Sequence, residues 1–306
     1  IVGSVLSAMG LGLIVLGVLQ ASSWGWISPR NSPIEPFGFS LTPFVIGLGA
    51  CVVWLFVRWQ RLREQHDRDP LVHLDLLKIL PLRAGLMGLL SQNLILMGVF
   101  FTIPLYLQLV LGLDALETGI KMLPVSVAMF LAAAVGARLS SRFSIRGIVR
   151  TGLSATFVGV LGLLANIDPT LADAFFAASM AVLGVGMGLI ASQLGNVVQS
   201  SVGASGRGEA GGLQFTGQQL GSSLGVALVG AIVLSGLTSG FASNVEEDPR
   251  ISTEVAAQVG VSIEAGIDFV SADQVAAATQ AAGLDQATSE AVVQDYEAAQ
   301  LQALKT

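Results

Sequence analysis

The chain has 306 residues, of which 53% are hydrophobic and only 12% charged, with a mean hydropathy of +0.73, whereas a soluble domain carries about 25% charged residues. This excludes a soluble fold, and a balance of 15 basic to 21 acidic residues (net −6) excludes nucleic-acid binding. One cysteine, Cys51, allows no intrachain disulfide, and two histidines are too few for most metal sites.

The reading is therefore an all-α membrane protein, a polytopic helical bundle. Windows of about 19 residues, enough to cross about 30 Å of hydrocarbon, predict seven spans. They fall at residues 1–19, 41–59, 86–110, 119–139, 148–165, 172–192 and 213–237. The first already begins inside an apolar run, with no initiating Met and no basic flank, which reads as a cut chain rather than a signal peptide. Trp24 and Trp26 follow it as an interfacial anchor.

Eleven of the fifteen basic residues fall in one set of alternate loops, led by Arg58, Arg61, Arg63, Arg68, Lys78 and Arg83. Basic loops are retained in the cytoplasm, so that set is expected inside. After the seventh span the composition changes: residues 242–305 hold eleven acidic side chains against Arg250 and Lys305. This predicts an aqueous, extracytoplasmic segment. Within it Ser271-x-x-Gln274 resembles a capping box, Gly283 ends the run that follows, and a second helix is expected from Ser289 toward Leu304. The domain reading is thus a two-helix insert at 1–59, a cytoplasmic link at 60–85, five bundle spans at 86–241 and the acidic segment at 242–306.

Motifs for chemistry are weak. Gly221-Ser222-Ser223-Leu224-Gly225 fits G-x-S-x-G, but it lies inside an apolar helix and the two histidines, His66 and His73, lie in a predicted cytoplasmic loop. The stretch 203–212, GASGRGEAGG, lacks the G-K-[ST] of a phosphate loop. His66, His73, Asp67, Asp69 and Asp75 read as a charged loop rather than metal ligands. No enzyme, cofactor or metal is expected.

Polar residues inside the spans carry more information, because an amide in hydrocarbon is costly unless it faces a partner or a cavity. Gln214, Gln218 and Ser222 recur every four residues on one face of the seventh span, beside a glycine row of Gly217, Gly221 and Gly225. Gly184, Gly188, Ser192 and Asn196 make a similar row on the sixth, and Gln92 and Asn93 lie on the third. The glycines suit helix packing. The amides suit either a wet cavity that binds substrate, formed by Gln92, Asn93, Asn196, Gln214, Gln218 and Ser222, or hydrogen bonds that only hold the bundle together. No Asp or Glu lies deep in a span.

Two runs carry a resemblance. One is Ile103-Pro104-Leu105-Tyr106-Leu107-Gln108 with Leu111-Gly112, Leu116, Gly119 and Leu123-Pro124; the other is Gly208-Glu209-Ala210-Gly211-Gly212-Leu213 with Gln219-Leu220-Gly221-Ser222-Ser223-Leu224-Gly225. On these the chain resembles the major facilitator superfamily, in its fourteen-span drug/proton antiporter branch of EmrB/QacA type. The resemblance implies part of a major facilitator fold, from the family's seventh span to just before its fourteenth. It implies a bacterial plasma (inner) membrane, with the third, fourth, sixth and seventh spans lining a translocation cavity and the fifth peripheral. It also implies a cytoplasmic gate in 137–146 that includes Arg142 and Arg146, although Ser141 stands where the motif has Asp and Ser144 where it has Gly.

The functional expectation is a fragment of a proton-coupled multidrug or metabolite exporter working by alternating access. Its partners would be the lipid bilayer, a small amphiphilic substrate, protons and the N-terminal bundle of the same transporter. The alternative is a non-transporting membrane-anchored protein whose acidic external segment acts as an adhesion or sensor module.

Overall fold

The computed structural model describes residues 2–27, 29, 32–66, 71–167, 172–252, 254–256, 259 and 270–305. Among them there is no strand, and seven helices are long and apolar enough to cross a membrane. In chain order these are α1 (Val2–Trp24), α2 (Thr42–Gln65), α3 (Leu80–Leu105), α4 (Ala115–Leu139), α5 (Ile145–Leu164), α6 (Asp173–Ser200) and α7 (Arg207–Glu247). Two shorter polar helices follow, α8 (Ala272–Ala281) and α9 (Gln286–Lys305). The protein is an all-α membrane protein.

Local chemistry sets several of the boundaries. Asp114 and Glu117 form a reciprocal capping box at α4, the Glu117 N–H donating to Asp114 Oδ1 at 2.7 Å and the Asp114 N–H to Glu117 Oε2 at 3.1 Å. The Ser144 hydroxyl caps α5 by accepting from the Gly147 N–H at 3.2 Å. Pro81 opens α3, where a missing N–H costs nothing. Pro104 near its other end removes one backbone donor, and the helix continues only as a π turn over Tyr106–Val110 before Gly112, at φ 66°, ends it.

The packing is built around α6, which lies between α4 and α5, while α3 packs on α7 and α6, and α1 on α2 and α7. Every one of these seams except α1–α7 includes a glycine where a Cβ would press on the facing helix. A Cβ at Gly184 or Gly188 would run into the Val125 or Met129 carbonyl oxygen of α4. One at Gly159 of α5 would lie 2.6 Å from the Leu183 nitrogen, and one at Gly49 of α2 would lie 2.8 Å from the Ile14 nitrogen. Between lipid-soluble helices apolarity gives no net attraction, so close backbone approach supplies the contact.

Side-chain bonds tie the 66–79 connection to its neighbours. The Leu71 and Leu74 N–H groups donate to Gln60 Oε1 and Glu64 Oε1 of α2 at 3.1 and 2.9 Å. Glu209, in the first turn of α7, accepts from the His73 N–H and pairs with its Nδ1, both at 2.8 Å. The carboxylate there also meets the positive end of the helix dipole. At the opposite end of the bundle, Lys121 of α4 pairs with Asp173 of α6.

The helix ends do not coincide with the bounds read from composition. The link is shorter than 60–85, because α2 runs to Gln65 and α3 begins at Leu80. Within the glycine-rich stretch 203–212, α7 starts at Arg207 and buries Ala210 completely. Most notably, the 241/242 boundary falls inside one helix. After Leu237 the polar residues do not stop α7, because Phe241 and Val245 recur at four-residue spacing and bury against α9.

The acidic segment is accordingly a folded cap on the bundle. Phe241 meets Tyr296 of α9 edge to face, with centroids 5.2 Å apart. Tyr296 Oη accepts from the Val270 N–H at 3.0 Å, and Asn244 Nδ2 donates to the Asp295 carbonyl at 3.0 Å. The capping box expected at Ser271 is present, its N–H donating to Gln274 Oε1 at 3.1 Å, and Gly283, at φ 76°, follows α8.

Candidate functional site

The polar stripe of α7 faces α3 and α6. Gln214 and Gln218 are half-buried, and so is Ser222. Gln214 Oε1 accepts a long bond from Gln199 Nε2 of α6 at 3.4 Å, and Ser222 Oγ donates to Asn93 Oδ1 of α3 at 3.5 Å. Asn93 in turn donates from Nδ2 to the Leu89 carbonyl of its own helix at 2.9 Å. Among the described residues no hydrogen bond is made by the Gln218 side chain. The stripe thus holds amide and hydroxyl capacity that the protein only partly uses.

Glycine positions this stripe. A Cβ at Gly221 or Gly225 would run into the Leu90 or Leu94 carbonyl oxygen, so α7 lies backbone to backbone on α3 along that row. Gly217 is looser, its imagined Cβ 3.6 Å from the Leu86 carbonyl. The segment 221–225 is therefore the interior of a packed helix, not the strained strand-to-helix turn of a nucleophile.

The other predicted residues are placed differently. Gln92 is 5% exposed, donates to the Met187 carbonyl of α6 at 3.1 Å and leaves Oε1 buried without a partner. It lies inside the α3–α6 seam rather than beside the α7 stripe. Asn196 is exposed and bonds back to the Ser192 carbonyl of its own helix at 3.3 Å. Arg142 and Arg146 are exposed at the basic end, and neither joins an ion pair among the described residues. The Asp that would face them in the gate motif is Ser141, whose hydroxyl bonds to the Arg138 carbonyl at 2.8 Å.

Gln193 is visible in the sequence as an embedded amide of the sixth span but is not among the residues expected to bind substrate. It is fully buried, donates to the Gly136 carbonyl of α4 at 2.8 Å and to Ser192 Oγ at 3.0 Å, and keeps Oε1 unpartnered. The signal was available: Gln193 follows Gly186 by seven residues and Ile190 by three, which puts it on the buried side of α6. No group of three or more metal-ligating side chains occurs among the described residues.

Comparison with known proteins shows what the chain is similar to. Residues 1–226 match the Major Facilitator Superfamily. The chain is 27% identical over 266 residues to the tetracenomycin C resistance and export protein of Streptomyces glaucescens, covering 86% of this chain and 46% of that protein. It is 31% identical over 229 residues to the multidrug efflux pump LfrA of Mycolicibacterium smegmatis (74% and 43%). Against the probable actinorhodin transporter of Streptomyces coelicolor it is 30% identical over 262 residues (84% and 43%). The chain spans less than half the length of these relatives.

Proposed function

The chain belongs to the Major Facilitator Superfamily, and we propose that it forms the C-terminal part of a bacterial plasma-membrane exporter of small amphiphilic compounds. The fourteen-span EmrB/QacA branch is the best fit, with proton-coupled alternating access against an N-terminal bundle of the same transporter. The basic end faces the cytoplasm and the acidic cap the exterior. The relatives' names, which speak of resistance, efflux and export, support this reading.

The observation that carries it is the partly bonded stripe Gln214, Gln218 and Ser222, with Asn93 across from it. An amide turned to lipid would cost a few kcal/mol, so these groups face protein or a wet cavity. We assign them to the substrate wall. Asn196 stands at its cytoplasmic edge, and Gln92 supports it from the α3–α6 seam. Gly184, Gly188, Gly221 and Gly225 hold the helices at the required distance, with Gly217 contributing less. Arg142 and Arg146 belong to the cytoplasmic gate.

In the whole transporter, Gln214→Leu and Gln218→Leu should change which compounds are exported while the protein reaches the membrane at normal levels. Unchanged export profiles for both, at normal levels, would move the binding site elsewhere. Reduced folded yield for both would make the stripe a packing device.

A further inference from the structure

The connection between α1 and α2 carries an unusual surface. Phe37 is 92% exposed, Ile27 and Ile34 are each 64% exposed, and Phe39 and Trp26 are about half exposed. Single exposed apolar residues are ordinary, but five within fourteen positions of one connection form a patch. In sequence the connection 25–41 carries two charged residues, Arg30 and Glu35.

This patch is held in place. The Ser40 N–H donates to the Ile27 carbonyl at 2.9 Å, and its buried hydroxyl donates to the Gly25 carbonyl at 2.7 Å. Ser32 Oγ accepts from the Leu41 N–H at 3.2 Å and donates to the Ile34 carbonyl at 2.7 Å. At the tip, a short turn over Pro36–Gly38 is closed by the Phe39 N–H on the Pro36 carbonyl at 3.1 Å. Within it Phe37 has φ 56°, in the left-handed region that a bulky residue adopts only under strain. A strained turn with an aromatic ring at its apex, projecting from the fold, serves something outside the fold.

The position says what that is. The connection begins at the end of one spanning helix and finishes at the start of the next, so it lies where the chain leaves the hydrocarbon. Aromatic rings favour that level of a bilayer. We propose that Ile27, Ile34, Phe37 and Phe39 of this connection are a lipid anchor, seated in the headgroup–acyl boundary of the leaflet on the acidic side of the bundle. The anchor fixes the depth and tilt of the α1–α2 hairpin, whose helices expose most of their remaining surface.

The test uses the whole transporter with its other cysteines removed, including Cys51→Ser, and a single Phe37→Cys labelled with an environment-sensitive fluorophore in lipid nanodiscs. Phe157→Cys on the exposed face of α5 and Gln280→Cys on α8 give the lipid and water references. The label at 37 should emit to the blue of that at 280. It should be quenched several-fold more strongly by a phospholipid carrying a nitroxide near its headgroup than by aqueous iodide. Phe39→Cys, on extended backbone, repeats the reading if position 37 does not accept cysteine. Iodide quenching equal to that at 280 would overturn the proposal, since the patch would then face water. So would a blue-shifted label that neither agent quenches, since a protein surface would then cover it.

Discussion

The membrane bundle and the acidic cap share the helix α7 and one buried apolar cluster, but their closest contacts differ in kind. In the bundle, beside buried side chains such as Tyr106 and Phe176, the closest helix approaches form where side chains are missing: Gly184, Gly188, Gly221 and Gly225 let backbone meet backbone. In the cap they form where side chains are large: Phe241 and Tyr296 pack edge to face beside Val292, Leu304 and Ile251. The solvent explains the difference. Water rewards burying a ring, whereas lipid is as apolar as leucine and rewards only closer fit.

The largest effect should come from adding atoms to the bundle. Gly184→Val or Gly188→Val drives carbon into a backbone carbonyl of α4, which cannot move aside as a side chain would, so a loss above about 3 kcal/mol is expected. Almost no folded, monodisperse protein should be recovered from detergent. Gly217→Ala, whose Cβ would meet the Leu86 carbonyl at an ordinary contact distance of 3.6 Å, should be tolerated, and equal damage from both would show that the contacts are not what holds the seam.

In the cap the damage should come from removing atoms. Tyr296→Ala deletes a ring that is 1% exposed, at about 3–5 kcal/mol. Limited proteolysis should then cut within residues 270–300 while the bundle is still extracted intact. Loss of both regions together would mean that the cap and the bundle fold as one unit.

Smaller effects sharpen the contrast. Gln193→Leu removes the bond to the Gly136 carbonyl but also a buried oxygen that has no partner, so the two changes oppose each other. Thermal unfolding in detergent should show a loss below about 1 kcal/mol, in line with single polar contacts in membranes. A larger loss would make amides, rather than glycines, the main fastening of α6.

The smallest effect concerns charge in the cap. Burial, and then the charge of Asp248, raise the Asp295 carboxyl above the ordinary 3.8, against the opposing influence of Arg250. Arg250 is itself held by Asp248 at 2.6 Å and by Gln294 at 2.8 Å. A raised acid binds its proton more tightly when folded, so its contribution is present at low pH and fades as pH rises through the folded value. The cap of the wild type should therefore lose stability relative to Asp295→Asn as pH rises through the ordinary carboxylate range and above it. Protection of 270–300 from protease across that range measures it, and curves that stay parallel would place Asp295 in water.

These two regions were also unequally legible in the sequence. Seven spans and their glycine rows follow from apolar length and four-residue spacing, because both are local properties. The outer end of α7 was misplaced because hydropathy registers the loss of apolar residues, not the end of a helix; Leu237, Phe241 and Val245 continue the stripe through polar company. Gln92 and Gln193 were visible as embedded amides. Which neighbour each would meet depends on the facing carbonyls of Met187 and Gly136, about which no spacing within one helix speaks. The π turn after Pro104 was equally hidden, since the proline marks a break without saying how the chain repairs it.

One consequence of α7 is mechanical. Its 41 residues form an uninterrupted helix, roughly 60 Å long against about 30 Å of hydrocarbon. It starts at the Glu209 clamp on the 66–79 connection and ends under Tyr296 in the cap. Such a helix is a lever arm with both tips outside the oil: tilting it by about 10° around its middle swings each tip by roughly 5 Å, in opposite directions. The His73–Glu209 contact at one tip and the packing of the cap at the other would thereby be coupled through a single piece of backbone.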